Sequence, residues 1–386
     1  MNKIPVLLCG IGGFAKFYLN EFLDSQDESF ELVGVADPFA ASSPRFTELE
    51  KRGIPVFKSP DEFYSSGAKA SLAVIGSPIH THHPYTVICF NHGSNVLCEK
   101  PVTGDLARLD DLIAREENSS LFAAVGFQMS FSLNVQLLKE DIIKGIFGKP
   151  LECKAICLTP RGDSYYGRNN WAGKLKIEGE TILDSPLNNG CAHELHNLLF
   201  LLGDTMNSCA KVNFLEAETW QGRPDIENYD AVSLNAQVAG TVKLAYYTAH
   251  CVDKHVEYVG EMKFEKAVVS WTRGYGGSYI AKFNDGQEKI YNEESKETQK
   301  IYDSLEAVRT GVRPICTVKT VRGHLDCVSR VQEFPIKKVP QEKLISGKLN
   351  IGPNKDDPYY YVPGLREAFL QAYMENTLPS QVGFTV

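Results

Sequence analysis

A glycine-rich turn between an apolar run and an amphipathic stretch most constrains how this chain can fold. Residues 4–9 predict a strand and residues 14–22 a helix, and the segment between them reads Gly-Ile-Gly-Gly-Phe-Ala over residues 10–15. This fits Gly-x-Gly-x-x-Gly/Ala, in which glycines allow a tight turn and the helix N-terminus receives a pyrophosphate. We therefore expect a dinucleotide site that includes Gly10, Gly12, Gly13, Phe14 and Ala15.

An acidic residue at the end of the second predicted strand, residues 30–36, fits the same site. The carboxylate of Asp37 can accept hydrogen bonds from both ribose hydroxyls and repels an added 2'-phosphate, so it favours NAD over NADP. NADP is still a possible cofactor, because an arginine such as Arg45, near Ser42 and Ser43, can neutralise the 2'-phosphate. A glycine-rich turn of structural role, with Asp37 as a loop or helix cap, is the competing interpretation.

The first third of the chain alternates predicted strands with predicted helices. This order predicts a parallel, doubly wound sheet, because right-handed crossovers place the helices on its faces. After the residues near 126, one more helix is followed by strands with alternating character, which predict a mainly antiparallel sheet. The first set of strands is 4–9, 30–36, 72–75, 96–98 and 122–125, with helices at 14–22, 60–64, 84–91 and 106–117; the later set is a helix at 135–144 and strands at 151–158, 211–216, 231–237, 241–249, 256–259 and 266–271. We expect an α/β Rossmann domain over residues 1–127 and an α+β domain over residues 128–386.

Composition excludes several classes of partner. At 386 residues the chain is long enough for two domains, and 43% hydrophobic with 23% charged residues is ordinary for a globular protein. A net charge of -8 disfavours nucleic acid, and no segment approaches the roughly 20 apolar residues of a membrane helix. The ten cysteines lack Cys-x-x-Cys spacing, which favours reduced thiols. We expect a cytoplasmic protein whose first apolar run is a strand and not a signal peptide.

Two further motifs complete a recognisable pattern. The fourth predicted strand ends in Cys98-Glu99-Lys100-Pro101-Val102, and the third is followed by Ser-Pro-Ile-His-Thr-His over residues 77–82. With the glycine loop, these resemble the Gfo/Idh/MocA family, the glucose-fructose oxidoreductase and inositol dehydrogenase group. The resemblance runs from Ile4 to residues 378–380. It implies an N-terminal Rossmann domain, a C-terminal domain with an open, mostly antiparallel sheet, and NAD(P)-dependent chemistry.

The resemblance also implies roles for residues of the first domain. Lys100 would reach the reacting hydroxyl, where an ammonium stabilises developing alkoxide character, and Glu99 would shape the turn that holds it. Ser77 and His82 would lie near the cofactor, with His82 beside the nicotinamide. The competing interpretation is a surface lysine on a strand-to-helix loop, but the carboxyl edge of an α/β sheet is where such folds bind ligands.

The family's second signature, Asp-x-Gly-x-His at a helix start, is altered here. Counting back from Gly203 places the family histidine at His193. The family aspartate falls on Asn189 without a gap and on Asp184 with a short insertion, and the sequence leaves both open. An asparagine orients a hydroxyl but shares no proton, in which case His193 would be the principal base. The spacing of His193 and His196 is a weak ligand signal, and we predict no metal.

Substrate contacts are expected from a polar and aromatic loop, residues 159–173. Its donors and aromatic faces suit a polyhydroxylated ring, although an oligomer contact is the alternative. At the domain junction Gln128 matches an Asn or Gln of the family, whereas Ser130 replaces a frequent arginine and so disfavours an anionic substrate. The candidate substrate residues are Gln128, Arg161, Tyr165, Arg168, Trp171, Asn189 and His250. A strand histidine such as His250 is also a common local hydrogen-bonding residue.

These features predict an NAD-dependent oxidoreductase that acts on a ring secondary alcohol of a sugar, sugar derivative or cyclitol. By resemblance, His193 removes the hydroxyl proton, Lys100 steadies the oxygen, and hydride passes to the nicotinamide. Two alternatives remain: redox-neutral glycoside cleavage through a transient ketone, and a non-catalytic NAD(P)-sensing protein, against which the presence of both Lys100 and His193 argues. The family also implies a homodimer or homotetramer, because relatives cover the open face of the sheet with a second subunit.

Overall fold

A computed structural model describes residues 3–272, 276–350 and 355–385. Its strands are β1 (Ile4–Cys9), β2 (Phe30–Ala36), β3 (Val56–Phe57), β4 (Leu72–Ile75), β5 (Asn95–Cys98), β6 (Ala123–Val125), β7 (Pro150–Leu158), β8 (Lys176–Ile177), β9 (Glu180–Thr181), β10 (Val212–Gln221), β11 (Ala231–Val238), β12 (Val242–Ala249), β13 (Val256–Phe264), β14 (Ala267–Thr272), β15 (Tyr279–Phe283), β16 (Glu288–Tyr291), β17 (Ile336–Lys338), β18 (Ile345–Leu349) and β19 (Asp357–Tyr361).

Helices connect these strands. They are α1 (Ala15–Asp24), α2 (Phe46–Lys51), α3 (Pro60–Ser65), α4 (Ile79–Asn91), α5 (Leu106–Glu117), α6 (Leu133–Ile143), α7 (Asp163–Tyr166), α8 (Ala192–Leu201), α9 (Gln299–Thr310), α10 (Arg322–Val331) and α11 (Leu365–Glu375). Short 3-10 turns lie at Ala40–Ser42, Gln128–Phe131, Gln341–Lys343 and Pro379–Val382, and a wider π-helical turn lies at Pro186–Gly190. Across the described ranges, no helix combines the length and the apolar character that a bilayer crossing needs.

The chain divides into two compact units. The first contains the chain up to Phe131 together with Lys296–Val321, and the second contains Ser132–Ser295 and the chain from Arg322 onward. The expected division into residues 1–127 and 128–386 puts the returning segment in the second domain, whereas the structure groups it with the first unit. Sequence periodicity shows that α9 is amphipathic but does not show which sheet its apolar side contacts.

The first unit is a Rossmann sheet. Its strand order among the described residues is β3-β2-β1-β4-β5-β6, and every neighbouring pair is parallel. The predicted strands 4–9, 30–36 and 72–75 match β1, β2 and β4 residue for residue, because buried parallel strands are apolar along their length. The predicted start of α4 at residue 84 is wrong: the helix begins at Ile79, and Pro84 lies inside it at the loss of one backbone hydrogen bond.

The returning segment extends the core of this unit. On α9, Ile301, Ser304 and Leu305 are buried, at the spacing of one helix face. After the helix the chain runs beside β6, where the Val125 amide donates to the Cys316 carbonyl at 3.0 Å. Residues from the far end of the sequence therefore reach the carboxyl edge of the Rossmann sheet.

The second unit contains a mixed sheet that is mostly antiparallel, as predicted. The order among the described strands is β16-β15-β14-β13-β7-β12-β11-β10-β17, with β7–β12 and β10–β17 as its parallel pairs. Part of one face is covered by α11, whose Phe369 packs with Trp220 and Tyr247. At the border of α11, Lys154 donates to the carbonyl oxygen of Tyr373 at 3.2 Å and lies opposite Glu261 on the neighbouring strand, so this face also carries charged residues.

Candidate functional site

The glycine loop of the first unit approaches the loop after β4 too closely for any side chain. Gly10 has φ +84°, and a Cβ there would lie 2.7 Å from the Cα of Ser77. Gly76 is equally confined, since its Cβ would lie 2.7 Å from that of Ala15 at the start of α1. No side chain of the described residues caps this helix start. Its first amides therefore have no side-chain acceptor, and amides at a helix start can bind an anion.

Asp37 is held directly beside this loop. The amide of Ile11 donates to its Oδ2 at 2.9 Å, and the amide of Phe39 donates to its Oδ1 at 2.7 Å. A carboxylate accepts about four hydrogen bonds, so each oxygen keeps capacity for a ribose hydroxyl. Arg45, which kept NADP open, forms ion pairs of 2.7 Å with Asp24 and 2.6 Å with Glu48. Its charge is already balanced by two carboxylates.

The Glu99-Lys100-Pro101 turn rests on a buried ion pair. Glu99 accepts hydrogen bonds from the hydroxyl of Tyr18 and, at 2.6 Å, from Nζ of Lys300, which is itself 1% exposed. Burial acts to raise the pKa of Glu99, but the charge and hydrogen bond of Lys300 outweigh it and hold the pKa below its ordinary value. A Cβ at Gly126 would lie 2.7 Å from Glu99 Oε1, so this site also needs a glycine.

His82 ties the loop after β4 to the same turn. Its ring nitrogens lie 2.8 Å from the carbonyl oxygen of Pro101 and 2.7 Å from that of Ser77. Burial lowers the pKa of His82, and the two carbonyl oxygens act in the opposite direction. The buried ring therefore joins two loops. Through these contacts the glycine loop, Ser77, His82 and the turn that carries half-buried Lys100 meet at the carboxyl edge of the sheet.

Gln128 lies in the 3-10 turn that follows β6 and belongs to the first unit. Its side chain is half-buried, whereas Ser130 is 0% exposed. Ser130 carries no charge, so this position offers an anionic substrate no partner, and an anion would have to be bound by other residues.

In the second unit, the two residues that competed for the aspartate position are hydrogen-bonded to each other. Asp184 is buried, with Oδ2 accepting from the Gly173 amide at 2.6 Å and Oδ1 from the Asn189 side chain at 2.7 Å. Asn189 is half-buried within the π-helical turn Pro186–Gly190, directly before α8. Such a turn holds more residues than an α-helical turn. His193 is half-buried in the first turn of α8.

The polar and aromatic loop gathers the other candidate substrate residues around one ring. The guanidinium carbons of Arg161 and Arg168 lie 4.7 Å and 3.6 Å from the centroid of Tyr165, and the ring of His250 lies 5.2 Å from it. Trp171 lies 5.0 Å from the Arg168 guanidinium. This cluster, called the arginine–tyrosine cluster below, consists of Arg161, Tyr165, Arg168, Trp171 and His250.

His250 is the buried member of the arginine–tyrosine cluster. It is 2% exposed, and its Nδ1 lies 3.1 Å from the hydroxyl of Tyr166. Burial, reinforced by the charges of Arg161 and Arg168, holds the pKa of His250 well below its ordinary value, so the ring is neutral. A Cβ at Gly190 would lie 2.4 Å from its Nε2. The missing side chain of Gly190 thus gives the imidazole its place beside Asn189.

The histidine pair on α8 does not share one environment. His196 is fully buried, with its ring centroid 6.0 Å from that of His324, while His193 is half-buried. Burial holds the pKa of His196 well below its ordinary value. Within the described ranges, no three His, Cys, Asp or Glu side chains are grouped as a metal ion would need.

Comparison with known proteins agrees with this arrangement. Residues 4–127 match the model of an oxidoreductase family with an NAD-binding Rossmann fold. The chain is 28% identical over 128 residues to myo-inositol 2-dehydrogenase of Thermotoga maritima, covering 32% of this chain and 38% of that protein. It is 26% identical over 206 residues to 2,7-anhydro-N-acetylneuraminate hydratase of Mediterraneibacter gnavus, covering 53% of this chain and 50% of that protein. These alignments thus span half of the relatives' lengths or less.

Among solved structures, the fold is similar to that of the WlbA dehydrogenase from Bordetella pertussis in complex with NADH and UDP-GlcNAcA. The TM-score is 0.69 at 18% sequence identity, and the match covers 87% of this chain and 100% of that chain. The likeness therefore extends through both units of the fold.

Proposed function

We propose that this chain, which belongs to the Gfo/Idh/MocA family through its residues 4–127, is an NAD-dependent dehydrogenase of a secondary alcohol on the ring of a sugar, sugar derivative or cyclitol. The meeting of the glycine loop, Asp37 and the Lys100 turn at one edge of the first unit's sheet carries this proposal. Open α/β sheets bind their ligands at that edge. The lysine there can stabilise the negative charge that develops on an alcohol oxygen as hydride leaves.

The residues present fit NAD. The amides at the start of α1 would hold the pyrophosphate, and a Cβ at Gly12 or Gly13 would meet no described atom within 4 Å, which leaves room for it. Asp37 would accept hydrogen bonds from the ribose hydroxyls. Arg45 forms ion pairs with Asp24 and Glu48 and so is not placed to neutralise a 2'-phosphate, which favours NAD over NADP. When bound, NAD supplies the hydride acceptor. The protein supplies binding, orientation and proton handling.

The proton chemistry is assigned to four residues, as the family resemblance implies. His193 accepts the proton of the alcohol, and the Lys100 ammonium stabilises negative charge on its oxygen. Asn189 takes the position toward the substrate hydroxyl, because it is half-buried and its amide is oriented by buried Asp184 at 2.7 Å. Asp184 is thus a positioning residue in this scheme. Both residues that could align with the family aspartate, Asp184 and Asn189, then have a role.

A substrate screen tests the proposal. Inositols, pyranoses and their glycosides are incubated with the protein and NAD while NADH absorbance is followed. We expect NADH to form with at least one ring polyol and a ketone to form in equal amount. Binding of NAD without NADH and without any product across the panel would instead indicate a cofactor-sensing protein.

A redox-neutral reaction is the second candidate. It is favoured by the hydratase from Mediterraneibacter gnavus, whose alignment of 206 residues covers about half of each chain and whose name describes no net oxidation. The same NAD site and proton-transfer residues would serve a transient ketone that activates a neighbouring bond. Product analysis separates the two candidates, since glycoside cleavage without net NADH supports the second.

We also propose assembly as a homodimer or homotetramer through the sheet of the second unit. On the face that α11 only partly covers, Phe214 is 51% exposed and Ile290 is 53% exposed, at opposite ends of the sheet. Between them lie charged residues on neighbouring strands, among them Lys154 opposite Glu261. Such a mixture is typical of interfaces between subunits, which combine apolar and polar contacts.

A further inference from the structure

We propose that the substrate carries an anionic group, a carboxylate or a phosphate, and that Arg161 and Arg168 bind it. The inference deepens the proposed function and rests on it for the ring and its oxidation. The anion site itself is argued from the second unit alone.

The two arginines lack the partners that other arginines of this unit have. Among the described residues, neither Arg161 nor Arg168 forms an ion pair with a carboxylate. By contrast, Arg223 in the same region is paired with Asp163 at 2.7 Å and with Asp225 at 2.6 Å. Two guanidinium groups held against one aromatic ring without a counter-charge form a strong site for an anion.

Unused hydrogen-bonding atoms point in the same direction. Nε of Arg161 is fully buried and has no hydrogen-bond partner among the described residues. Nε2 of His250 is likewise buried without a hydrogen-bond partner among the described residues, and the His250 side chain is only 2% exposed. Buried polar atoms without partners are rare in folded proteins, and at a candidate site they indicate a missing ligand. Both atoms belong to the arginine–tyrosine cluster.

Three carboxylates in this loop or hydrogen-bonded to it have other partners. Asp163 accepts from Arg223, Asp357 accepts from the Ser164 amide at 2.9 Å, and Asp184 accepts from the Gly173 amide and from Asn189. Each of these acids thus has donors other than the two arginines. The positive charge of Arg161 and Arg168 is left for a group from outside the chain.

Aromatic contacts hold the guanidinium of Arg168 in place. It lies 3.6 Å from the centroid of the Tyr165 ring and 5.0 Å from that of Trp171, and both rings are half-buried. Arg168 itself is exposed, and its Nη1 donates to the carbonyl oxygen of Tyr165. A guanidinium binds the two oxygens of a carboxylate or phosphate in one fork, which fixes orientation as well as charge. A uronic acid and a sugar phosphate share this chemistry.

The test compares matched ligands. Calorimetry on the NAD-saturated full chain measures the Kd of glucose, galactose and mannose, of their uronic acids and of their 6-phosphates. We expect one anionic series to bind at least 10-fold more tightly than its neutral counterparts, and the tighter series identifies the group as carboxylate or phosphate. Arg161→Gln and Arg168→Gln should each weaken that binding on the order of 10- to 100-fold and leave neutral sugars nearly unchanged.

The matched control is Arg330→Gln, which removes one charge from a partly exposed pair with Asp326 in the same unit and should not change any Kd. Thermal melting of each variant shows whether it folds. Equal binding of anionic and neutral ligands, or anion binding that survives in folded arginine variants, overturns the anion site. Tight anion binding without any NADH or other product overturns the proposed function instead and leaves the anion site standing.

Discussion

At the residue scale, one buried ion pair supports the turn that presents Lys100. Glu99 is 8% exposed and its partner Lys300 is 1% exposed, so neither charge is stabilised by bulk water. The sequence predicts Gly10 and Asp37 from local spacing, because a turn and a strand end leave short motifs, and the family resemblance implies the role of Lys100. Lys300 leaves none: it stands 201 residues from Glu99, and only the folded chain joins them.

Lys300→Met should destabilise the protein by about 3–5 kcal/mol, the usual result of leaving a buried charge without its partner. The pKa of Glu99 is lower in the folded state than in the unfolded state. The ionised carboxylate therefore stabilises the fold above the unfolded-state pKa of about 4.3, and this stabilisation is lost as the pH falls through the folded-state pKa. Urea unfolding should show the largest difference in free energy of unfolding between variant and wild type at neutral pH, and a smaller difference in acid. Lys319→Met, which breaks an exposed pair with Glu117, should change stability by less than about 1 kcal/mol. A constant gap at every pH would contradict this role for Glu99.

Asp37→Ala should weaken NAD binding and reduce the preference for NAD over NADP. The substitution removes both the acceptor for the ribose hydroxyls and the negative charge that repels a 2'-phosphate. The amides of Ile11 and Phe39 also lose their acceptor, so the loop loosens. Fluorescence titration gives the Kd of both cofactors for wild type and variant. An unchanged ratio of the two Kd values would refute the assignment of Asp37.

At the element scale, the sequence predicts the helices and strands whose burial leaves a regular pattern of apolar residues, and it does not predict the others. The helix expected over residues 106–117 matches α5 because a regular apolar stripe marks it. The sequence does not predict the edge strand β16 or its neighbour β15. Strand β16 is short, with three of its four residues exposed and two of them charged. The π-helical turn before α8 was missed too, because one wide turn leaves no periodic signal, and it is what joins Asn189 to Asp184.

Gly190→Ala tests the packing of that turn. The added methyl would lie 2.4 Å from Nε2 of His250, and overpacking of this kind costs roughly 1–3 kcal/mol. We expect Gly190→Ala to lower the melting temperature of the wild-type protein. The same substitution should lower it by less in a His250→Ala background, where the imidazole is absent. A melting temperature that does not change in the single variant would show that the turn and the imidazole are not in close contact.

At the scale of the whole molecule, the chain folds as two units, and the second interrupts the first in sequence. Alternation of strands and helices predicts the Rossmann sheet and the later mixed sheet, but no local pattern predicts that α9 rejoins the first unit, because this depends on contacts between distant residues. The resemblance to family members, not the composition, is what predicts the assembly of subunits.

Light scattering at micromolar concentration should give the mass of a dimer or tetramer. Phe214→Glu and Ile290→Glu should shift it toward the monomer, because each places a new charge on the face proposed as the interface. Phe39→Glu, at an exposed position of the first unit, is the matched control and should leave the mass unchanged. A monomeric wild-type protein would refute the proposed assembly.

The central claim, oxidation of a ring alcohol with His193 as the base, is tested most directly by kcat of the NAD-linked reaction in His193→Ala, with Lys100→Ala measured alongside. Each should lower kcat on the order of 100-fold or more while the Kd of NAD stays close to that of wild type. Oxidation by wild type should slow in acid, since a protonated imidazole accepts no proton, and His193→Ala should lack this dependence. A folded His193→Ala variant with near wild-type kcat and the same acid limb would contradict the account.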